Sequence, residues 1–126
     1  MSFDLGLQGR RAVVTGGTKG VGAAVVEVLH KAGMTVIASA RSVPDTAPQG
    51  VSYFAADLTT AEGCETLTRA VINRIGGVDA IINVLGGSSA PSGGFAALSD
   101  DEWAAALNQN LMPAVRIDRA LLPSMI

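Results

Sequence analysis

The stretch Arg11-Ala12-Val13-Val14-Thr15-Gly16-Gly17-Thr18-Lys19-Gly20-Val21-Gly22-Ala23-Ala24-Val25-Val26-Glu27-Val28-Leu29 decides the fold. Arg11 to Thr15 is a short apolar run rich in β-branched residues, which predicts a strand. From Gly20 onward the spacing is helical and holds no breaker. Gly16, Gly20 and Gly22 turn the chain sharply from one into the other. Glycines let a backbone approach a ligand closely, and a helix N-terminus offers unpaired N–H groups and a positive dipole end. Such a corner suits a pyrophosphate, cradled by Gly16, Thr18, Lys19, Gly20, Val21 and Gly22. Lys19 precedes the last glycines and no Gly-Lys-Ser/Thr follows, which disfavours nucleoside triphosphate hydrolysis.

Outward from this corner, Ser2 to Arg10 reads as a polar lead-in. The helix is expected from Gly20 to Lys31, with Val21, Val25, Val28, Leu29 and Ala32 on one face and Gly33 stopping it. Met34 to Ser39 predicts a second strand. Pro44, Pro48 and Gly50 follow closely, so an irregular connection rather than a helix is expected. Val51 to Ala55 predicts a third strand. Thr59 or Thr60 caps a helix reaching Ile75, whose buried stripe is Cys64, Leu67, Val71 and Ile75. Gly76-Gly77 ends it, and Val78 to Asn83 predicts a fourth strand. The Gly- and Ser-rich segment from Gly86 to Gly94 is a loop. Ser99 or Asp100 then caps a last helix with Trp103, Leu107, Asn110, Ala114 and Leu121 on one face, kinked by Pro113.

Strands alternating with crossovers imply an α/β fold, a doubly wound parallel sheet covered on both faces. Right-handed crossovers restrict the strand order to 3-2-1-4, with the first helix on one face and the later ones on the other. The switch point then falls between strands one and four, where open α/β sheets bind ligands.

The chain has 126 residues, enough for one domain spanning 1–126 with a buried core. Hydrophobic residues make up 48% and charged residues 16%, a balance that excludes a disordered chain. The formal net charge of −2 gives no basic footprint for nucleic acid. Cys64 is the single cysteine, so neither an intrachain disulfide nor a cysteine-based zinc site is possible. With one histidine, His30, no histidine pair can hold a metal either. No apolar run reaches the ~18 residues of a membrane span, and Met1-Ser2-Phe3-Asp4 lacks a basic signal-peptide start. A cytoplasmic location is expected.

Thr15-Gly16-x-x-x-Gly20-x-Gly22 resembles the cofactor motif of the short-chain dehydrogenase/reductase family. Asp57-Leu58, after strand three, is similar to the family's acidic residue that meets the adenine amino group, with the next residue's backbone beside it. Asn83-Val84-Leu85-Gly86 stands where the family has Asn-Asn-Ala-Gly, matching at Asn83 and Gly86. Trp103, Asn110-Leu111 and Leu121-Leu122-Pro123-x-Met125 resemble the family's fourth helix. The resemblance spans residues 9–126 and implies a Rossmann-like fold, a nicotinamide dinucleotide and a carbonyl or alcohol substrate. It also makes Asn110 the catalytic-site asparagine that holds a water linked to a lysine. Read without it, Asp57 is equally a turn or capping residue and Asn110 a satisfied buried amide. Leu85, where the family has Ala, narrows the space beside the cofactor ribose.

NAD favours a carboxylate against its ribose hydroxyls, whereas the extra phosphate of NADP calls for cations. Strand two ends Ala38-Ser39-Ala40-Arg41-Ser42 with no acid at its tip, and Arg41 and Lys19 supply charge. NADP is therefore the expected cofactor, with NAD the alternative.

The family's tyrosine and the lysine four residues after it are absent. Tyr53 is the single tyrosine, in strand three, and Lys19 and Lys31 both belong to the first βα unit. Ser88, Ser89 and Ser92 read as turn residues rather than as the family's serine. The chain is thus expected to be the N-terminal part of a longer reductase, inactive alone, or else a non-catalytic dinucleotide-binding module or an interaction remnant. Strand four is left as an open edge, which predicts association into a homo-oligomer.

Overall fold

The computed structural model describes residues 4–126. Residues 1–3, which carry the start of the expected lead-in and most of the N-terminal reading, lie outside the described residues. The elements in chain order are strand β1 (Arg11–Thr15), helix α1 (Gly20–Lys31), β2 (Thr35–Ala40), β3 (Val51–Ala55), α2 (Ala61–Ile75), β4 (Ala80–Asn83), α3 (Asp100–Asn110) and α4 (Met112–Leu121). Short 3-10 turns at Phe95–Ala97 and Leu122–Ser124 flank the last two helices. The four strands form one parallel sheet in the order β3-β2-β1-β4. This is the Rossmann-like arrangement the strand and crossover pattern implies.

Alternation along the strands divides the core in two. Val13 and Ile37 pack on one face with Leu67 and Val71 of α2 and Ile117 and Leu121 of α4. Ala12, Val14, Val36 and Ala38 pack on the other with Val26 of α1. The segment 41–50 carries no helix, as its prolines dictate.

Two of the three expected helix faces need correction. In α1, Val21 and Val28 are exposed, and the helix turns Gly22 and Val26 inward, with Val25 and Leu29 half-buried. Gly22 sets this phase: a Cβ there would lie 1.8 Å from the carbonyl oxygen of Gly16, so only glycine lets the helix press on the turn before it. The last helix is two helices. The chain breaks at Leu111, and Pro113 occupies the first turn of α4, where a missing N–H costs nothing. Trp103 and Leu107 are exposed, and α3 buries no side chain of its own.

The other ends follow ordinary capping chemistry. Thr60 accepts from the Gly63 amide at 3.0 Å, and Gly76 closes α2 in the left-handed region. Ser99 accepts from the Glu102 amide, and its hydroxyl donates back to the Glu102 carboxylate. At the bottom of the sheet, Arg11 fastens three elements. Its amide and guanidinium both donate to Asp79 ahead of β4, and Nη1 donates to the Ile75 carbonyl at the end of α2.

Candidate cofactor-binding site

β1 ends in Thr15, which is fully buried. Its Oγ1 accepts from the amides of Val84 (3.1 Å) and Leu85 (3.3 Å), tying the end of β1 to the loop leaving β4. Gly16 (φ 71°) and Gly20 (φ 54°) hold the left-handed conformations that the turn requires. Gly17 is buried against β2: its amide donates to the Ser39 carbonyl, and a Cβ on it would meet that of Ala38 at 2.6 Å. The turn is thereby clamped between β2 on one side and the β4 loop on the other.

The helix that follows is left open at its N-terminus. Lys19 occupies the cap position, makes no side-chain cap, and no acid stands in the first turn. α2 and α3, by contrast, both have side-chain caps and acids in their first turns. The first amides of α1 lack intrahelical partners and carry the positive end of the dipole. α4 also lacks a side-chain cap and first-turn acids, but only Leu111 separates it from α3, whereas α1 starts from the glycine turn.

That end faces a cleft of about 640 Å³ at the carboxyl edge of the sheet. Gly16, Thr18, Lys19, Val21, Gly22, Arg41, Asp57, Leu58 and Gly86 line it, as does Gln109 of α3. Gly20 shapes the turn without lining the cleft. Asn83 and Asn110 also stand outside the lining. The Asn83 amide donates to Asp118 at 3.2 Å. Asn110 accepts from the Gly87 amide (2.9 Å) and donates to the Gly87 and Ala106 carbonyls, so it pins the loop to α3. A Cβ on Gly86 would meet Asn110 Oδ1 at 2.9 Å, which keeps that loop flat against the helix. In the same loop, Ser88 accepts from the Ala90 amide, a turn interaction.

Asp57 accepts from the Thr59 hydroxyl and amide, and these hydrogen bonds, with a smaller contribution from Arg41, hold its carboxyl below the usual range. It is an anion on the cleft wall. Lys19 and Arg41 bring positive charge to the same cleft, and Ser39-Ala40-Arg41-Ser42 brings no acid. Leu85, expected beside the cofactor ribose, is in the lining; so are Ser39, Ala40, Ser42, Ala56, Thr59 and Val84, which the sequence does not mark as site residues. Ser39 is findable from the strand register, which sets it beside Thr15. Gln109 depends on the rotation of α3 and left no signal.

Comparison with known proteins agrees with this geometry. The family model of short chain dehydrogenases matches residues 10–126, and the chain belongs to that family. It is 29% identical over 128 residues to the 3-oxoacyl-(acyl-carrier-protein) reductase FabG of Vibrio harveyi, covering 97% of this chain and 52% of that protein. It is 36% identical over 135 residues to the uncharacterized oxidoreductase YvaG of Bacillus subtilis, covering 98% of this chain and 49% of that one. The L-sorbose reductase of Gluconobacter frateurii, solved with NADPH and L-sorbose, superposes with a TM-score of 0.86 at 30% identity, over 98% of this chain and 50% of that one. The chain spans about half the length of the curated relatives it matches. Among the described residues, no helix is long and apolar enough to cross a membrane.

Proposed function

We propose that residues 1–126 form the cofactor-binding part of an NADP-preferring oxidoreductase that interconverts a carbonyl and an alcohol. The observation that carries this reading is the uncapped, acid-free N-terminus of α1, opening into a cleft whose β2 wall ends in Arg41 without an acid. The glycine corner fits the group: Gly22 lets α1 press on the carbonyl of Gly16 and so fixes the turn, and the free amides of α1 suit a pyrophosphate. Arg41 and Lys19 would hold the 2′-phosphate, and Asp57 with the Leu58 backbone the adenine edge. Asn83 and Gly86 would support the ribose on the β4 side. Asn110 is a positioning residue, keeping the Gly86-Gly87 loop in place. The presence of NADPH in the similar L-sorbose reductase supports a nicotinamide dinucleotide in this cleft.

When bound, the nicotinamide supplies or accepts a hydride. Proton transfer in such a reaction needs a group of suitable pKa, and a phenol at its ordinary value near 10 needs a neighbouring cation to serve. Tyr53 lies in β3 and has Asp57, not lysine, four residues on. This absence favours a second reading for these residues taken alone, a module that binds dinucleotide without turnover. Titration with NADPH and NADH, followed by the fluorescence of reduced nicotinamide, tests the first reading. Tighter, saturable binding of NADPH is expected; equal affinities would remove the NADP preference. A ketone panel added to the same samples is expected to give no turnover, and turnover would overturn the second reading.

A further inference from the structure

Two hydroxyls stand side by side at the carboxyl ends of β1 and β2. Thr15 and Ser39 are register partners, both fully buried, and alternation places both on the face of Val13 and Ile37. Their hydrogen bonding differs. Thr15 Oγ1 accepts from two amides, whereas Ser39 Oγ has no partner among the described residues. The Ser39 backbone is engaged, its carbonyl accepting from Gly17, so the orphan is the side chain alone. A hydroxyl buried without a partner disfavours the folded state, and alanine would fill the same place without that cost.

Ser39 nonetheless borders the cleft, on the side walled by Arg41, Asp57 and Leu58 and away from Gly86 and Gln109. We propose that the Ser39 hydroxyl is a ligand-directed group, unpaired in the free protein and paired by a polar atom of the adenosine half of a bound dinucleotide. A serine hydroxyl both donates and accepts, so a ribose hydroxyl or a ring nitrogen satisfies it. The assignment rests on reading the cleft as a dinucleotide site, and it makes Ser39 a determinant of adenosine affinity.

The test compares the full chain with its Ser39→Ala variant. Thermal melting is measured without ligand, and calorimetry with 2′-phospho-ADP-ribose and, separately, with reduced nicotinamide mononucleotide. The variant is expected to melt no lower than the parent, to bind 2′-phospho-ADP-ribose roughly 3- to 10-fold more weakly, and to bind the mononucleotide unchanged. That ratio is what one hydrogen bond between neutral groups sustains. A lower melting temperature without ligand would show the hydroxyl paired inside the protein and overturn the proposal. So would an unchanged affinity for 2′-phospho-ADP-ribose, or equal weakening of both ligands. A parent chain that binds neither ligand would instead remove the dinucleotide reading, and the Ser39 assignment with it.

Discussion

At the scale of single residues, the proposed NADP preference rests on Arg41 more than on the glycines. The glycine corner accepts any pyrophosphate, because backbone amides read charge and shape but not the rest of the ligand. Arg41 lines the cleft just beyond β2, where NAD-binding sites carry an acid. Arg41→Asp is expected to lower the NADPH-to-NADH affinity ratio by about 10- to 100-fold, the range for losing a charge-assisted hydrogen bond. An unchanged ratio in paired titrations would remove Arg41 from the site. That Gly16, Thr18, Lys19, Val21, Gly22, Arg41 and Asp57 share one cleft was legible in sequence, because each sits at a strand end or in a local turn. Ser39 and Gln109 were not, since their places depend on strand register and on the rotation of a helix. Asn83 and Asn110 were found as residues, but their side chains turned out to hold neighbouring protein groups: Asp118 for the first, Gly87 for the second.

Among the elements, β1, α1 and β3 begin and end where the sequence places them: glycine stands at or near each boundary except the end of β3, which Asp57 closes. β2 starts one residue later than expected because the Met34 amide donates to the Leu29 carbonyl and is still part of the α1 exit. β4 starts later than Val78 because the Asp79 amide donates to Arg11 and its side chain takes the Arg11 guanidinium, so the entry is a clasp rather than a ladder. The Arg11 hydrogen bonds hold the Asp79 carboxyl below the usual carboxylate range. A lowered native pKa stabilises the fold above the unfolded value, near 4, and that contribution is lost as pH falls through the native value. Asp79→Asn is therefore expected to lower the melting temperature at pH 7, with the gap to the parent closing in strong acid. A gap that persists in acid would mean that Asp79 acts by something other than charge.

Over the whole molecule, the sheet covers its two faces unequally. α1 and α2 bury continuous stripes, while Trp103, Leu107, Leu111 and Val115 form an exposed series at four-residue spacing across α3 and α4. Phe95 stacks edge-on against Trp103, with ring centroids 5.9 Å apart, and is itself exposed. An apolar series of this kind on an open surface favours association. The sequence pattern implied one helix with Trp103, Leu107, Asn110, Ala114 and Leu121 on a face; the structure buries Leu121 but leaves Trp103 and Leu107 exposed. Light scattering is expected to give a mass above the monomer at micromolar concentration. Leu107→Glu combined with Leu111→Glu should return the chain to a monomer. A parent chain monomeric at every concentration would contradict the expected association.

In the proposed site, the free amides at the start of α1 receive the ligand's phosphates. Backbone amide NMR during an NADPH titration tests this most directly. Saturable shifts are expected at Gly20, Val21 and Gly22, with Arg41 moving at the same ligand concentrations and the distant Arg11–Asp79 clasp unmoved. Saturable binding that leaves those three amides unshifted would contradict the claim.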